Sequence, residues 1–344
     1  MPLESLDKEI NIHDLAVEPG ESAWQGADVR KMYERIMQPE FLGSYIFDKE
    51  QGLWIETAVY TESVTKKQSV KFEKDADVNL LWVLSEAQIN PSAAVSDLRR
   101  LMTTNLYNPE IHGWYSTIYR DEDKTQEQPF TDTLRLSSHF LEILIRANGD
   151  PAIAKEEYEK LKLTSYYNAD GNGEMEPGSW YERINSNSKP DMNETGGRGY
   201  DTSFDCQLYE VLVKAIFDRP AALVQYEKMK SERDNYYDAD SGFWHPYAWR
   251  DKNLFSDNQL LGVMCEAEFN KENAREIYLA LKESALFDRD KNLWKYRDDE
   301  VEDEETWNYH LENEFLALLC EVALKDDPKD LNDQVPALPE VKQY

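Results

Sequence analysis

The sequence predicts an all-α fold, an α/α toroid (barrel) of five or six helical hairpins joined by short strand-like connections that contain tryptophan. Two repeated segments lead to this prediction, because an apolar helix and a turn that ends in tryptophan each occur five times. A pair of antiparallel helices cannot bury its faces alone, and a row of such pairs closes most economically into a ring. A linear helical solenoid is the alternative.

Length and composition indicate a globular chain that could hold one toroidal domain or two ordinary ones, and the repeats favour the single toroid. The chain has 344 residues, of which 41% are apolar and 12% aromatic, so it can bury a large core. We assign residues 22–325 to the toroid. Residues 1–21 form an irregular N-terminal segment in this assignment, and residues 326–344 form a polar C-terminal tail.

Charge and cysteine usage restrict the partners and the compartment. A net charge of −30 argues against nucleic acids and anionic membranes, because phosphate contacts need clustered Lys and Arg. No run approaches the roughly 18 apolar residues of a membrane span, and the N-terminus lacks the features of a secretory signal. Three cysteines without metal-like spacing favour reduced thiols. We expect a cytoplasmic protein with a small-molecule substrate, no cofactor and no metal.

The repeated helix aligns on a small residue near its end, with apolar residues seven and three positions earlier, which is one stripe of an α-helix. We expect these five helices to form the inner ring. Helices rich in Lys and Glu, at 91–105, 151–163, 220–232 and 271–284, lie outside it. A first helix at 22–37 and a last helix at 307–323 would pair to close the ring. The aligned small residues are Ala87, Ala147, Ala215, Ala267 and Val322.

The second repeat is an acidic turn that ends in tryptophan and precedes a short strand-like run. Its tryptophans recur at intervals of 50 to 66 residues, which marks one hairpin each. We expect these side chains to be wedges between hairpins: Trp54, Trp114, Trp180, Trp244 and Trp294.

A polar stripe runs along the other side of the repeated helices. In a closed toroid we expect this stripe to face a central funnel, whereas in an open solenoid it would be a solvated face. Carboxylates that converge on one cavity suit acid–base catalysis, because crowding and burial separate their pKa values. Glu142 and Glu210 are therefore the predicted acid and base, in either order. The predicted lining is Asn79, His139, Glu142, Gln207, Glu210, Gln259 and Glu314.

Acidic or hydroxyl residues recur ten positions before the aligned small residue, at Asp77, Ser137, Asp205, Asp257 and Glu312. The plain interpretation is that they cap the helices by binding unpaired amides; the other is that they lie at the funnel rim. The catalytic candidates are Glu142, Glu210, His139, Asp77 and Asp205. The candidates for substrate binding are Asn79, Arg135, Gln207, Gln259, Trp249, Tyr247, His310 and Glu314.

Two resemblances concern the repeats. The tryptophan turn resembles the repeat of squalene cyclases, and Asp75-Ala-Asp77-Val-Asn-Leu-Leu-Trp82 is similar to the Asp-rich motif of class II terpenoid cyclases. That resemblance implies that Asp77 is the protonating aspartate, although Val78 replaces the motif's fourth-position aspartate.

The turns Phe47-Asp48 to Trp54 and Tyr237-Asp238 to Trp244 look like those of six-hairpin carbohydrate enzymes, such as N-acylglucosamine epimerase-like proteins and unsaturated glucuronyl hydrolases. This resemblance covers residues 25–323 as an architecture and carries over no catalytic residue.

The predicted lining decides between these functions. Polar groups buried against a hydrocarbon ligand would be costly, and they suit a ligand rich in hydroxyl groups. We therefore expect an enzyme that acts on a carbohydrate or another polyhydroxylated small molecule, as a glycoside hydrolase or an epimerase. An acid-initiated terpenoid cyclase or dehydratase/isomerase is the first alternative, and a non-catalytic helical scaffold is the second.

Overall fold

The computed structural model describes residues 28–38, 41–42, 45–48, 51–61, 68–121, 127–129, 133–170, 178–185, 204–232, 237–239, 241–244, 254–297 and 309–325. The predicted N-terminal segment 1–21, the predicted tail 326–344 and two binding candidates, Tyr247 and Trp249, lie outside these ranges. Across the described ranges, no helix is both long and apolar enough to cross a membrane.

The described part of the chain contains ten helices and fifteen strands. The helices are α1 (Val29–Ile36), α2 (Ala76–Ala87), α3 (Pro91–Leu101), α4 (Leu136–Gly149), α5 (Ala152–Leu161), α6 (Phe204–Phe217), α7 (Arg219–Glu232), α8 (Ser256–Phe269), α9 (Lys271–Glu283) and α10 (Leu311–Ala323). The strands are β1 (Tyr45–Asp48), β2 (Leu53–Thr61), β3 (Gln68–Asp75), β4 (Tyr107–Asn108), β5 (Gly113–Trp114), β6 (Thr117–Asp121), β7 (Gln128–Pro129), β8 (Thr133–Arg135), β9 (Tyr167–Asn168), β10 (Ser179–Trp180), β11 (Arg183–Asn185), β12 (Tyr237–Asp238), β13 (Phe243–Trp244), β14 (Phe287–Asp288) and β15 (Leu293–Trp294).

The repeated helices are the even-numbered ones, and their contacts form a closed cycle. Each packs against the next, and α10 packs against α2. The helices α3, α5, α7 and α9 each pack on the even-numbered helix that precedes them, and α1 packs on α10. The first and last helices therefore pack on each other. The structure is helix-rich, and this arrangement is consistent with an α/α toroid.

Burial separates the two sets of helices. In α2 every residue except Glu86 is buried, whereas α3 buries Ala94, Leu98 and Leu101 alone. A helix that is apolar nearly all round must be enclosed by others, and one with a narrow apolar stripe lies at the surface. The even-numbered helices thus form the inner layer, and all three cysteines lie buried within them.

Each tryptophan turn forms a small antiparallel ribbon in which the tryptophan faces an aromatic residue on the opposite strand. The paired ring centroids lie 4.6 to 5.3 Å apart, a favourable distance for cross-strand aromatic pairs. The residue two positions before each tryptophan has a positive φ angle, which Gly and Asn tolerate best. These residues are Gly52, His112, Gly178, Gly242 and Asn292.

A five-stranded antiparallel sheet, in the order β1-β2-β3-β6-β7, shows that the all-α prediction is incomplete. Strand β3 runs directly into α2, so the sheet lies at the N-terminal end of that inner helix. The charged residues of β3, such as Lys71, Glu73 and Lys74, make it resemble a polar loop in the sequence. Its strand conformation comes from pairing with β2 and β6, which sequence patterns do not reveal.

Candidate active site at the N-terminal end of the inner helices

Four of the five inner helices carry a carboxylate as their second residue: Asp77, Asp205, Asp257 and Glu312. On α4 this place belongs to Ser137, and Arg135 immediately precedes that helix. These side chains lie close enough to influence one another electrostatically. Glu312 interacts with Asp257 and Asp77, and Asp257 interacts with Asp205. We call Asp75, Asp77, Arg135, Asp205, Asp257 and Glu312 the N-terminal ring.

An ion pair between Arg135 and Asp77 links two adjacent helices of this ring. Nη1 of Arg135 lies 3.0 Å from Oδ2 of Asp77, and Nη2 lies 3.8 Å from Oδ2 of Asp205. The hydroxyls of Ser137 and Ser138 donate to the two carboxylate oxygens of Asp77, at 2.8 and 2.5 Å. Asp77 is 3% exposed, and its three contacts with Arg135, Ser137 and Ser138 fix its position.

The capping interpretation of Asp77 is wrong. The N-cap of α2 is Asp75, whose Oδ1 accepts a hydrogen bond from the amide of Val78 at 3.1 Å. Because the helix begins at Ala76, Asp77 lies within its first turn and its side chain reaches across to α4. Thr117 donates to the other oxygen of Asp75 at 3.1 Å, so β6 of the sheet contacts the ring as well.

Several acids of the ring hold their protons more tightly than usual. Burial, and next the charge of Asp77, raise the pKa of Asp75 to about 6. Burial and the charge of Asp205 raise the pKa of Asp257 to about 6, and burial together with the charge of Asp257 raises the pKa of Glu312 well above its usual value. Like charges in a poorly solvated space favour the neutral acid.

The pKa of Arg135 is raised as well, which in a guanidinium favours the charged form. Burial alone would lower the pKa of its guanidinium, but the charges of Asp77 and Asp205 outweigh burial and raise it. The ring therefore combines a fixed positive charge, an ion-paired carboxylate and acids that titrate near neutral pH. Proton donors and acceptors of this kind lie side by side in general acid–base catalysis.

Residues of the sheet and of the β10–β11 connection extend the acidic environment. Burial, and then the charges of Glu73 and Asp75, raise the pKa of Glu56 on β2 to about 7. Tyr45 on β1 lies within electrostatic reach of Glu56, Asp75 and Glu312. Glu182 lies near Asp205, and burial is the main cause of its raised pKa.

Tyr209 brings a phenol from α6 into the same ring and was not among the predicted site residues. The residue is 2% exposed, and within the described residues its hydroxyl has no hydrogen-bond partner. Burial, and then the charges of Glu312, Asp77, Asp205 and Asp257, raise its pKa. In the sequence, a tyrosine inside an apolar helix is interpreted as a core residue. The hydroxyl group was the only feature that could have indicated a functional role for Tyr209.

Glu142 and Glu210 do not belong to this ring. Oε1 of Glu210 accepts hydrogen bonds from the indole of Trp180 at 2.8 Å and the phenol of Tyr158 at 2.6 Å. Gln225 donates to Oε2 at 2.7 Å, and Nζ of Lys214 lies 2.8 Å from Oε1. Burial would raise the pKa of Glu210, but the charge of Lys214 and these donors together lower it.

Glu142 has a similar environment, with the indole of Trp114 and Nε of Arg146 each 2.8 Å from a carboxylate oxygen. The expectation that the polar stripe faces a central funnel is therefore wrong for both glutamates. At these two positions the stripe is polar because the buried indole N–H of Trp114 and that of Trp180 need an acceptor.

Three other residues of the stripe each accept a hydrogen bond from the backbone amide of a tryptophan. Oδ1 of Asn79 accepts from the amide of Trp54 at 2.7 Å, and Oε1 of Gln259 accepts from the amide of Trp244 at 2.9 Å. Oε1 of Glu314 accepts from the amide of Trp294 at 2.7 Å. These contacts place the three side chains beside the tryptophan ribbons, away from the predicted funnel lining.

The remaining candidates occupy separate places. His139 packs edge-on against Tyr166, with ring centroids 5.1 Å apart, and lines a cleft of about 550 Å³ with Glu142 and His112. Its pKa is lowered, mainly by burial. Gln207 is half-buried on α6, and His310 precedes α10 and stacks on Tyr296 at 4.4 Å. The structure thus brings Asp77, Arg135 and Asp205 together in the ring, and it places His139 and Glu142 in one separate cleft.

In the described ranges, no group of three or more His, Cys, Asp or Glu side chains is arranged so that it could hold a metal ion.

Comparisons with known proteins give a distant structural similarity. No family model and no curated protein matches the chain. Among solved structures, the chain is similar to a crystal structure of D-mannose isomerase, with a TM-score of 0.46 and 11% identity over 73% of this chain and 72% of that chain.

Proposed function

We propose that this protein is an enzyme whose carboxylates perform acid–base chemistry at the N-terminal end of a closed α/α barrel of five hairpins. Its substrate is a carbohydrate or another polyhydroxylated small molecule. The observation that carries the proposal is the contrast within one ring: the raised pKa values of Asp257 and Glu312 beside the ion pair of Asp77 with Arg135. An enzyme needs a proton donor and a proton acceptor together near neutral pH.

The contacts suggest a role for each group. Glu312 and Asp257 are the proton donors, because burial and mutual repulsion favour their neutral forms. Asp205 is the base, since it lies near the guanidinium without the serine hydroxyls that hold Asp77. Arg135 binds a substrate oxygen; within the described residues its buried Nε has no partner.

The chemistry of the ring favours a hydroxyl-rich substrate. Carboxylates accept hydrogen bonds, whereas protonated acids and the guanidinium donate them, and a sugar hydroxyl can do both. A hydrocarbon would leave these buried groups unpaired at a cost of several kcal/mol, about 2–7 for each group. Hydrolysis of a glycosidic bond and epimerisation or isomerisation at a carbon beside a carbonyl both need this pairing of acid and base.

One observation favours a second function, an acid-initiated terpenoid cyclase or dehydratase. Asp75 and Asp77 lie in the segment similar to the cyclase motif, and the pKa of Asp75 is raised to about 6. Asp77 is ion-paired and accepts two hydroxyl hydrogen bonds, so Asp75 would be the proton donor in such an enzyme.

The test is turnover in variants of the ring. Sugars, sugar phosphates, uronic acids, glycosides and short isoprenoids are incubated with the protein in deuterated buffer, and NMR follows deuterium uptake, hydrolysis and cyclisation. We expect Asp257→Asn and Glu312→Gln to lose turnover by about a hundredfold or more, the usual contribution of a general acid or base. Asp170→Asn, at an exposed position, is the matched control.

The outcomes separate the candidate functions. Deuterium uptake or hydrolysis of a sugar that both ring variants lose supports the proposal. Turnover of an isoprenoid that depends on Asp75 supports the cyclase. Full turnover in both ring variants, or binding without turnover of any compound, contradicts the proposal, and the latter favours a helical scaffold.

A further inference from the structure

We propose that the N-terminal ring binds a positively charged ammonium group of its substrate and that the Tyr209 hydroxyl is the neutral contact for this group. The inference rests on the proposed function and narrows its substrate class to polyhydroxylated compounds that carry a primary amine. It follows from the balance of charge in the ring and from the buried hydroxyl of Tyr209.

Carboxylates outnumber cations in the ring. Arg135 forms its ion pair with Asp77 and lies 3.8 Å from Asp205. In the described part of the chain, no Lys or Arg forms an ion pair with Asp257 or Glu312, so their repulsion is relieved by protonation instead. The acidic groups that face this space are Asp75 at the end of β3, Asp77 on α2, Asp205 on α6, Asp257 on α8, Glu312 on α10, Glu56 on β2 and Glu182 before β11.

The helix N-termini do not reverse this preference. Each carries a partial positive charge of about half a unit, which by itself would favour an anion. In this ring the second residue of four helices is already a carboxylate, so this positive end is neutralised by the protein's own acids. Additional negative charge from a ligand would meet Asp257 and Glu312, whereas a cation would be attracted to both.

Tyr209 provides the contact that the carboxylates and Arg135 cannot. Its hydroxyl is buried and lacks a partner within the described residues, although four carboxylates lie within electrostatic reach. A phenol can accept an N–H from an ammonium while it donates its own hydrogen to a carboxylate, and a guanidinium cannot accept at all. A buried polar group without a partner costs free energy, and a bound ammonium would recover that cost.

Binding of a cation also has a consequence for protons. An ammonium beside Asp257 and Glu312 favours their ionised forms, so these acids release protons when the ligand binds. The affinity for an amine therefore rises as the pH increases from about 5 to about 7, because Asp257, with a pKa of about 6, titrates in this range. A neutral sugar causes no comparable release.

The experiment compares ligands that differ in charge at one atom. Isothermal titration calorimetry at about pH 6.5, where a primary amine is protonated, measures binding of glucosamine, galactosamine and mannosamine. The parent sugars and the N-acetyl derivatives are the uncharged counterparts. Two buffers of different ionisation enthalpy report the protons released. Tyr209→Phe removes one hydroxyl. Tyr226→Phe is the control, because its buried phenol donates to the backbone carbonyl of Gly262 on α8.

We expect at least one amine to bind about tenfold or more tightly than both counterparts, with proton release, because a hydrogen bond to a charged group is worth at least this factor. Tyr209→Phe should lose about tenfold of that affinity while it folds as stably as the wild type. Tyr226→Phe should keep the affinity.

Three results would overturn the inference. Equal or tighter binding of a neutral sugar would exclude a cationic ligand and leave the proposed enzyme intact. An undiminished amine preference in Tyr209→Phe would remove Tyr209 from the contact. Binding of no compound, together with full turnover in Asp257→Asn, would reject both the ammonium site and the proposed function.

Discussion

Trp180 donates its indole N–H to Glu210 at 2.8 Å, and this contact ties the turn of one hairpin to the inner helix of the next. Trp114 and Glu142 form the same contact one hairpin earlier, also at 2.8 Å. On α8 the corresponding place is Gly262, where the indole of Trp244 passes directly over the helix backbone. The indoles of Trp114 and Trp180 therefore each meet an acceptor at this position, whereas the indole of Trp244 meets a residue without a side chain.

The first prediction concerns Glu210→Gln. The carboxylate accepts hydrogen bonds from Trp180, Tyr158 and Gln225 and pairs with Lys214, whereas an amide offers one acceptor and two donors. We expect a loss of about 2–3 kcal/mol in the free energy of unfolding at pH 7, since hydrogen bonds to a charged group are worth about this much. Urea unfolding followed by tryptophan fluorescence measures the loss.

The pH dependence gives this prediction a definite sign. The pKa of Glu210 is lowered in the folded protein, so its contribution is present above the unfolded value of about 4.3 and is lost as the pH falls through the lowered value. The variant and the wild type should therefore converge in acid. Glu157→Gln is the control, because its partner Lys160 is 57% exposed and such pairs contribute less than about 1 kcal/mol. Equal losses in both variants would contradict the structural role.

Much of the fold could be predicted from the sequence because its repeats obey simple geometry. The apolar spacing of three and four residues predicted the five inner helices, whereas the tryptophan turns left five or six hairpins open. The direction of the polar stripe could not be predicted, because a glutamate that accepts from a buried indole looks like one that faces a cavity. Glu142 and Glu210 illustrate this ambiguity.

The candidate site was predictable in part for the same reason. Asp77 and Asp205 share a register at the start of their helices, so a ring brings them together whatever their chemistry. Tyr209 could not be found, because its surroundings on α6 are apolar and a tyrosine there is normally core. Its importance depends on which hydrogen-bond partners are missing, and only a three-dimensional structure shows that.

The second prediction concerns Gly262→Ala. A β-carbon at this position would lie 2.4 Å from Nε1 of Trp244, and the rigid indole is itself buried. We expect a loss of about 1–3 kcal/mol from overpacking, despite the better helix propensity of alanine. Gly149→Ala, at the end of α4, has no atom within 4 Å and should be neutral or slightly stabilising. Differential scanning calorimetry of both variants tests this, and similar melting temperatures would contradict the close approach.

The third prediction concerns Asp257→Asn and has the opposite pH dependence to Glu210→Gln. The folded pKa of Asp257, about 6, exceeds the unfolded value of about 3.9, so the stability of the wild type falls as the pH rises between these values. Asparagine never ionises and avoids this loss. We expect the variant to be more stable by about 1–2 kcal/mol at pH 7.5, a figure discounted for partial exposure, and equal at pH 4.

Urea unfolding at the two pH values tests this expectation, with Asp170→Asn as the exposed control. A gain that is the same at both pH values would show that the repulsion with Asp205 does not matter. Together with the loss of turnover expected for the same variant, a gain at pH 7.5 would show that the ring trades stability for activity.

The last prediction concerns Arg135→Gln, which removes the positive charge that pairs with Asp77. Removing one partner of a buried ion pair leaves an uncompensated charge, which typically costs about 3–5 kcal/mol. We expect a loss of about 3 kcal/mol in the free energy of unfolding, because Ser137 and Ser138 still donate to the carboxylate of Asp77. The loss should be larger at pH 8 than at pH 5, because Arg135 also lowers the pKa of Asp75 and Asp257. The double variant with Asp77→Asn should recover part of it, so that the two losses are not additive. Calorimetry of the two single variants and the double variant measures this coupling, and strictly additive losses would mean that the ion pair does not hold α2 and α4 together.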